Sequence, residues 1–73
     1  MIQENDVVIA KKDLSKIVLK GSKGAVVMVY KEPRLGYEVE FVNNHGETLD
    51  VITVYPEDIE ELPITSPRGR EKG

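Results

Sequence analysis

The stretch Tyr37-Glu-Val-Glu-Phe-Val42 constrains this chain more than any other. Its alternation puts Tyr37, Val39 and Phe41 on one side of an extended backbone and Glu38 and Glu40 on the other. A helix would spread these residues around its axis, whereas a strand with one dry face and one wet face sorts them cleanly. The flanking segments obey the same grammar. Ala25-Val-Val-Met-Val-Tyr30 is rich in β-branched residues and reads as a strand. Gly24 before it suits either a positive-φ turn or a close backbone approach. Lys31–Gly36, with Pro33 and Gly36, makes a turn, and Asn43-Asn-His-Gly46 has hairpin-turn chemistry. Thr48–Tyr55 completes a three-stranded meander.

Around the meander, residues 6–10 form a short apolar strand and Lys11–Gly24 a long charged loop pinned by Leu14, Ile17, Val18 and Leu19, with the spacing of Leu14, Ile17 and Val18 offering one helical turn as the alternative. Pro56–Ile59 reads as a tight 3₁₀ turn, followed by a closing strand at Ile59–Leu62. Five short strands with no helix to cover a sheet face must bury against one another, and a strongly bent barrel does this while limiting exposed edges. The expected fold is therefore all-β: a small five-stranded barrel over residues 5–63, with a long first loop and a short 3₁₀ turn before the last strand. Residues 64–73 (ITSPRGREKG) are too polar to offset their ordering entropy and read as a flexible polar tail. The expected core is Val8, Ala25, Val27, Val29, Val39, Phe41, Ile52, Val54, Ile59 and Leu62, with Val7, Leu19 and Leu49 as further candidates.

Charge is sorted along the chain. Lys11–Arg34 carries seven basic and two acidic residues, whereas Tyr37–Pro63 carries eight acidic residues and no Lys or Arg. Such sorting bears on binding and solubility more than on fold. The overall charge of −3 weighs against general nucleic-acid affinity, which rests on many Lys and Arg contacts to phosphate. There is no cysteine, hence no disulfide framework or thiolate chemistry, which fits a cytoplasmic setting. The segment MIQENDVVIA lacks the basic and apolar regions of a signal peptide, and the longest apolar run, Ala25–Tyr30, is far short of the ~20 residues a membrane helix needs.

No catalytic or metal-ligand constellation is present, so no cofactor is expected. His45 is the only histidine and sits in a turn, whereas zinc takes three or four protein ligands. The acidic run Glu57, Asp58, Glu60, Glu61 lacks the alternating ligands and central glycine of a calcium loop. Lys20-Gly-Ser-Lys-Gly24 suggests a phosphate cradle, but a P-loop opens a helix and here a strand follows.

The segments Gly21–Val27 (GxxG followed by AVV), YEVEFV at Tyr37, GET at Gly46 and the closing PEDIEEL, in that order, resemble a family of short bacterial proteins known as domain of unknown function 4926. The resemblance spans about four fifths of the chain and implies an SH3-like barrel. The spacing of Gly24, Val26 and Val29 also looks like the KOW motif of ribosomal and transcription-factor barrels, a likeness of fold that carries no function. The resemblance implies no established functional residues. It suggests a gene neighbourhood of small genes, and so a partner protein.

The leading expectation is a non-catalytic protein-interaction module, the small acidic partner of a neighbouring gene product of antitoxin or immunity type. Glu38, Glu40, Asp50, Glu57 and Asp58 would face a basic protein, with Met28 and Tyr30 as apolar anchors. The alternative is a KOW-like RNA-binding barrel that uses the basic 11–34 region through Lys20, Lys23, Lys31 and Arg34. The competing reading of those basic residues is internal pairing with the acidic half. Head-to-tail homo-oligomers are also compatible with halves of opposite charge.

Overall fold

A computed structural model describes residues 2–62. Five strands, β1 (Val7–Ala10), β2 (Lys23–Tyr30), β3 (Gly36–Val42), β4 (Thr48–Val54) and β5 (Ile59–Glu61), form one antiparallel sheet in the order β4-β3-β2-β1-β5. A three-residue 3₁₀ turn, Pro56–Asp58, lies between β4 and β5. That connection dictates the shape. The two edge strands of a flat five-stranded sheet would stand about 19 Å apart. Here they are joined by the four residues after Val54, three of them coiled in the tight turn, so the sheet must curl to bring its edges within reach of that connection. The long first loop, the meander, the 3₁₀ turn and the short closing strand make a small barrel-like all-β fold, compatible with the SH3-like barrel that the sequence leads one to expect. The tail expected at residues 64–73 lies outside the described residues.

The core inside the curl is Val8, Ala10, Val18, Val26, Tyr37, Val39, Phe41, Val54 and Ile59, with Phe41 the largest fully buried side chain. Val29, Leu49 and Ile52 pack against it in part. The alternation in β3 is as expected. In β2 it is not. Val26 is buried and Ala25 and Val27 are exposed, the reverse of the expected phase. The cause is a bulge. Val26 pairs with Val39 but Met28, two residues on, pairs with Glu38, so one extra residue lies on β2. Val27 and Met28 consequently both face outward, and the inward residues are Gly24, Val26 and Val29. Two further core candidates are corrected: Val7 and Leu19 are 37% and 49% exposed.

The first loop is not helical. Ser15 Oγ accepts the backbone N–H groups of Ile17 and Val18, while the carbonyl of Val18 accepts those of Leu14 and Ser15. This tight closure points Val18 inward and leaves Ile17 and Leu19 outside. Asp13 Oδ1 accepts the Lys20 N–H at 2.8 Å and closes the wider loop. Ala10 then exchanges backbone hydrogen bonds with Gly21 and Ser22, which carries the β1–β2 ladder to the base of the loop.

Gly24 satisfies the second of its two expectations. A Cβ there would lie 2.6 Å from Val39 Cγ1 and 2.9 Å from both Phe41 Cδ1 and the Glu40 carbonyl oxygen. The absent side chain is what lets β2 close over Phe41. Gly24→Ala should therefore destabilise the domain by about 1–3 kcal/mol through overpacking. Phe41→Ala should cost about 3–5 kcal/mol through the cavity it leaves, a large share of the roughly 4–11 kcal/mol that a chain of this length commands in total. Urea unfolding followed by circular dichroism measures both, and midpoints within error of wild type would contradict this packing.

Candidate functional site

The outer surface of the meander is assembled by register. Ala25, Glu40 and Val51 form one row across β2, β3 and β4, and Met28, Glu38 and Thr53 form another. Val27 stands between the rows because of the bulge. Val27, Met28 and Val51 are each nearly half exposed, and Tyr30 ends the β2 column at 38%. Scattered surface apolar residues are ordinary, but a contiguous group on one sheet face is what interaction surfaces present. The two carboxylates among them are held in place. Thr53 Oγ1 donates to Glu38 Oε1 at 2.6 Å, and Thr48 Oγ1 donates to Glu40 Oε2. Both glutamates thus lean toward β4, away from the apolar column of Ala25, Val27, Met28 and Tyr30.

Of the residues expected to face a partner, Glu38, Glu40, Met28 and Tyr30 share this face. Asp50, Glu57 and Asp58 do not. Asp50 stands opposite Phe41 and its carboxylate accepts the Val51 N–H at 2.8 Å. Asp58 is a junction: Oδ2 accepts the Tyr55 N–H at 3.0 Å, Oδ1 pairs with Lys12 Nζ at 3.1 Å, its N–H donates to the Tyr55 carbonyl, and its own carbonyl accepts the Lys11 N–H. It ties the start of the first loop to the 3₁₀ turn. Glu57 is bound to Arg34 at 2.9 Å, and that guanidinium also lies over the Tyr55 ring, 4.2 Å from its centroid. Val27 and Val51 belong to the face but were not expected there. The Gly24, Val26, Val29 spacing was the signal that could have placed Val27 outside.

The basic residues are also divided. Lys20 and Lys23 line a shallow cleft of about 570 Å³ with Val42, Asn44, Gly46 and Leu49. Lys31 and Arg34 lie beyond the other end of β2, roughly 23 Å from Lys23 by strand rise. The hairpin turn bordering the cleft is tied up internally, since Asn43 Oδ1 accepts the N–H groups of His45 and Glu47. Two basic residues, Lys12 and Arg34, pair with acidic ones among the described residues, so internal pairing accounts for part of the charge sorting. Among the described residues no three His, Asp or Glu side chains are grouped to hold a metal ion, and no helix is long and apolar enough to cross a membrane.

A family model described as Domain of unknown function (DUF4926) matches residues 4–61, every strand included. The chain belongs to that family. No curated protein and no solved structure matches it. In this DUF4926 member the matched span begins at the Gln3–Asp6 turn, where Gln3 N–H donates to Asp6 Oδ2 and Asn5 takes a φ of 75°, and it ends with β5.

The Glu57 carboxyl is held below its ordinary value, first by a backbone hydrogen bond from its own residue and then by the hydrogen bond from Arg34. A carboxyl lowered by folding lends stability that is present above its unfolded pKa and is lost as pH falls through the folded one. Both side chains are half exposed, so the pair itself is weak. Glu57→Gln should therefore lower the melting temperature slightly at about pH 7, and the gap from wild type should narrow as the pH falls through the depressed Glu57 value. Thermal unfolding across that range tests this; a gap independent of pH would mean that the pair contributes nothing.

Proposed function

We propose that this domain is a non-catalytic protein-interaction module acting in the cytoplasm, and that its binding surface is the outer face of the meander. The observation that carries the reading is the join of an exposed apolar column, Ala25, Val27, Met28 and Tyr30, to two carboxylates, Glu38 and Glu40, held in place by threonines. The apolar side chains supply area that water leaves readily. The carboxylates select a partner that presents Lys or Arg beside its own apolar residues and speed the encounter with it. A small acidic module capping a basic protein, as antitoxins and immunity proteins do, is the biological form this chemistry favours.

The nucleic-acid alternative is supported by Lys20 and Lys23 at one cleft, while Arg34, committed to Glu57, stands at the far end of the barrel. Two lysines are few against the number of phosphate contacts that general affinity requires.

The deciding experiment captures partners from the native host at moderate salt and then measures the binding of any purified partner to surface variants. The Glu38→Lys/Glu40→Lys pair and, separately, Met28→Asp should each weaken binding at least about tenfold, about 1.4 kcal/mol, while Lys20→Glu/Lys23→Glu leaves it unchanged. The reverse pattern, with RNA retained by wild type, would favour the cleft instead.

A further inference from the structure

At the upper end of the outer face the register sets Tyr30 of β2 opposite Gly36 of β3, and Tyr55 follows β4 on the other side of Gly36. The middle position of this row has no side chain. The Tyr55 ring leans over it: a Cβ on Gly36 would lie 3.2 Å from Tyr55 Cε1 and 3.3 Å from Cδ1. Between the two tyrosines is a half-open slot of about 140 Å³, with Pro33, Thr53, Glu32 and Arg34 around it. Its size is on the order of the cavity that accepts one benzene ring. The Arg34 guanidinium, stacked on Tyr55 and bonded to Glu57, fixes one aromatic wall in position. Slot and face are continuous, because Tyr30 ends the apolar column and Thr53, which lines the slot, donates to Glu38.

We propose that this slot is the anchoring pocket of the binding face, and that it takes one proline or branched aliphatic side chain from a partner segment carrying Lys or Arg next to that residue. The inference rests on the protein-binding reading above. Two tyrosine rings and a glycine floor offer an apolar, ring-sized space, and interface energy concentrates where one side chain fills such a pocket beside Tyr and Arg. The charge around it selects the flanking residues. Arg34 is neutralised by Glu57, which leaves Glu32 at the slot and Glu38 just below it as the carboxylates toward the partner, with Lys31 next in the chain but not lining the space. Aromatic-lined grooves that take proline or aliphatic residues at low entropic cost are a recurrent mode of peptide recognition.

The test is a selection from a random peptide display library against the whole chain, followed by titration of an enriched synthetic peptide into wild type and variants. Enriched peptides should share Pro, Leu, Ile or Val within two positions of Lys or Arg. Tyr30→Ala should weaken the peptide about tenfold or more while Tyr30→Phe binds as wild type, and amide resonances of Gly36 and Thr53 should move on binding. Gly36→Ala, whose methyl adds bulk to the slot floor 3.2 Å from Tyr55 Cε1, should act like Tyr30→Ala; melting curves report whether each variant is folded. Peptides that bind Tyr30→Ala as tightly as wild type, yet are lost with Glu38→Lys/Glu40→Lys, would overturn the slot and leave the face standing. Enriched peptides that are acidic or ignore all of these variants, or no enrichment at all, would overturn both.

Discussion

One extra residue in β2 governs much of what this domain presents. The bulge after Val26 lets a single strand serve two purposes. Before it, Gly24 and Val26 close the barrel over Val39 and Phe41, with Gly24 giving the room that no other residue type has. After it, the strand resumes with Val29 inward and Tyr30 outward, while Val27 and Met28 lie side by side on the outer face. A regular strand would have alternated them and buried one. The bulge also bends the strand, as bulges do, and a sheet of five short strands needs such bends to bring its edges within reach of the short β4–β5 connection.

The sorted charges find a partly structural explanation. Lys12 and Arg34 from the basic half reach Asp58 and Glu57 in the acidic half, both at the turn that brings β5 to β1. Neither pair is worth much as an isolated surface contact. Their value lies in position, since Asp58 uses both carboxylate oxygens and both backbone polar groups to fasten the turn to the first loop. This commitment removes Glu57 and Asp58 from the partner-facing set and leaves Glu38 and Glu40. Along β2, Lys20 and Lys23 stand where the strand begins, apolar residues and the carboxylates of β3 line the outer face, and Lys31 and the Glu57-paired Arg34 follow its end.

Family membership shows what kind of chain this is, and the register shows how its outer face is assembled. On the proposed reading, the slot between Tyr30 and Tyr55 would anchor a partner and the threonine-held Glu38 and Glu40 would set its charge preference.

The sequence by itself determined the element order, because the cues are local: alternation in Tyr37–Val42, turn residues at Lys31–Gly36 and Asn43–Gly46, and Pro56 before a short run. It also placed Glu38 and Glu40 on the face opposite Phe41, since period-two sorting survives any tertiary arrangement of a regular strand. Only the tertiary structure decided the phase of β2. Ala25–Tyr30 is apolar throughout, so its side chains carry no polar marker of which face is wet, and the bulge is set by pairing with β3 rather than by local preference. Likewise Val18, Ile17 and Leu19 look equivalent along the chain, and the Ser15 closure chose among them. The separation of Glu57 and Asp58 from Glu38 and Glu40, and the meeting of Tyr30 with Tyr55 across Gly36, arise because a curled sheet joins residues by register and not by distance along the chain.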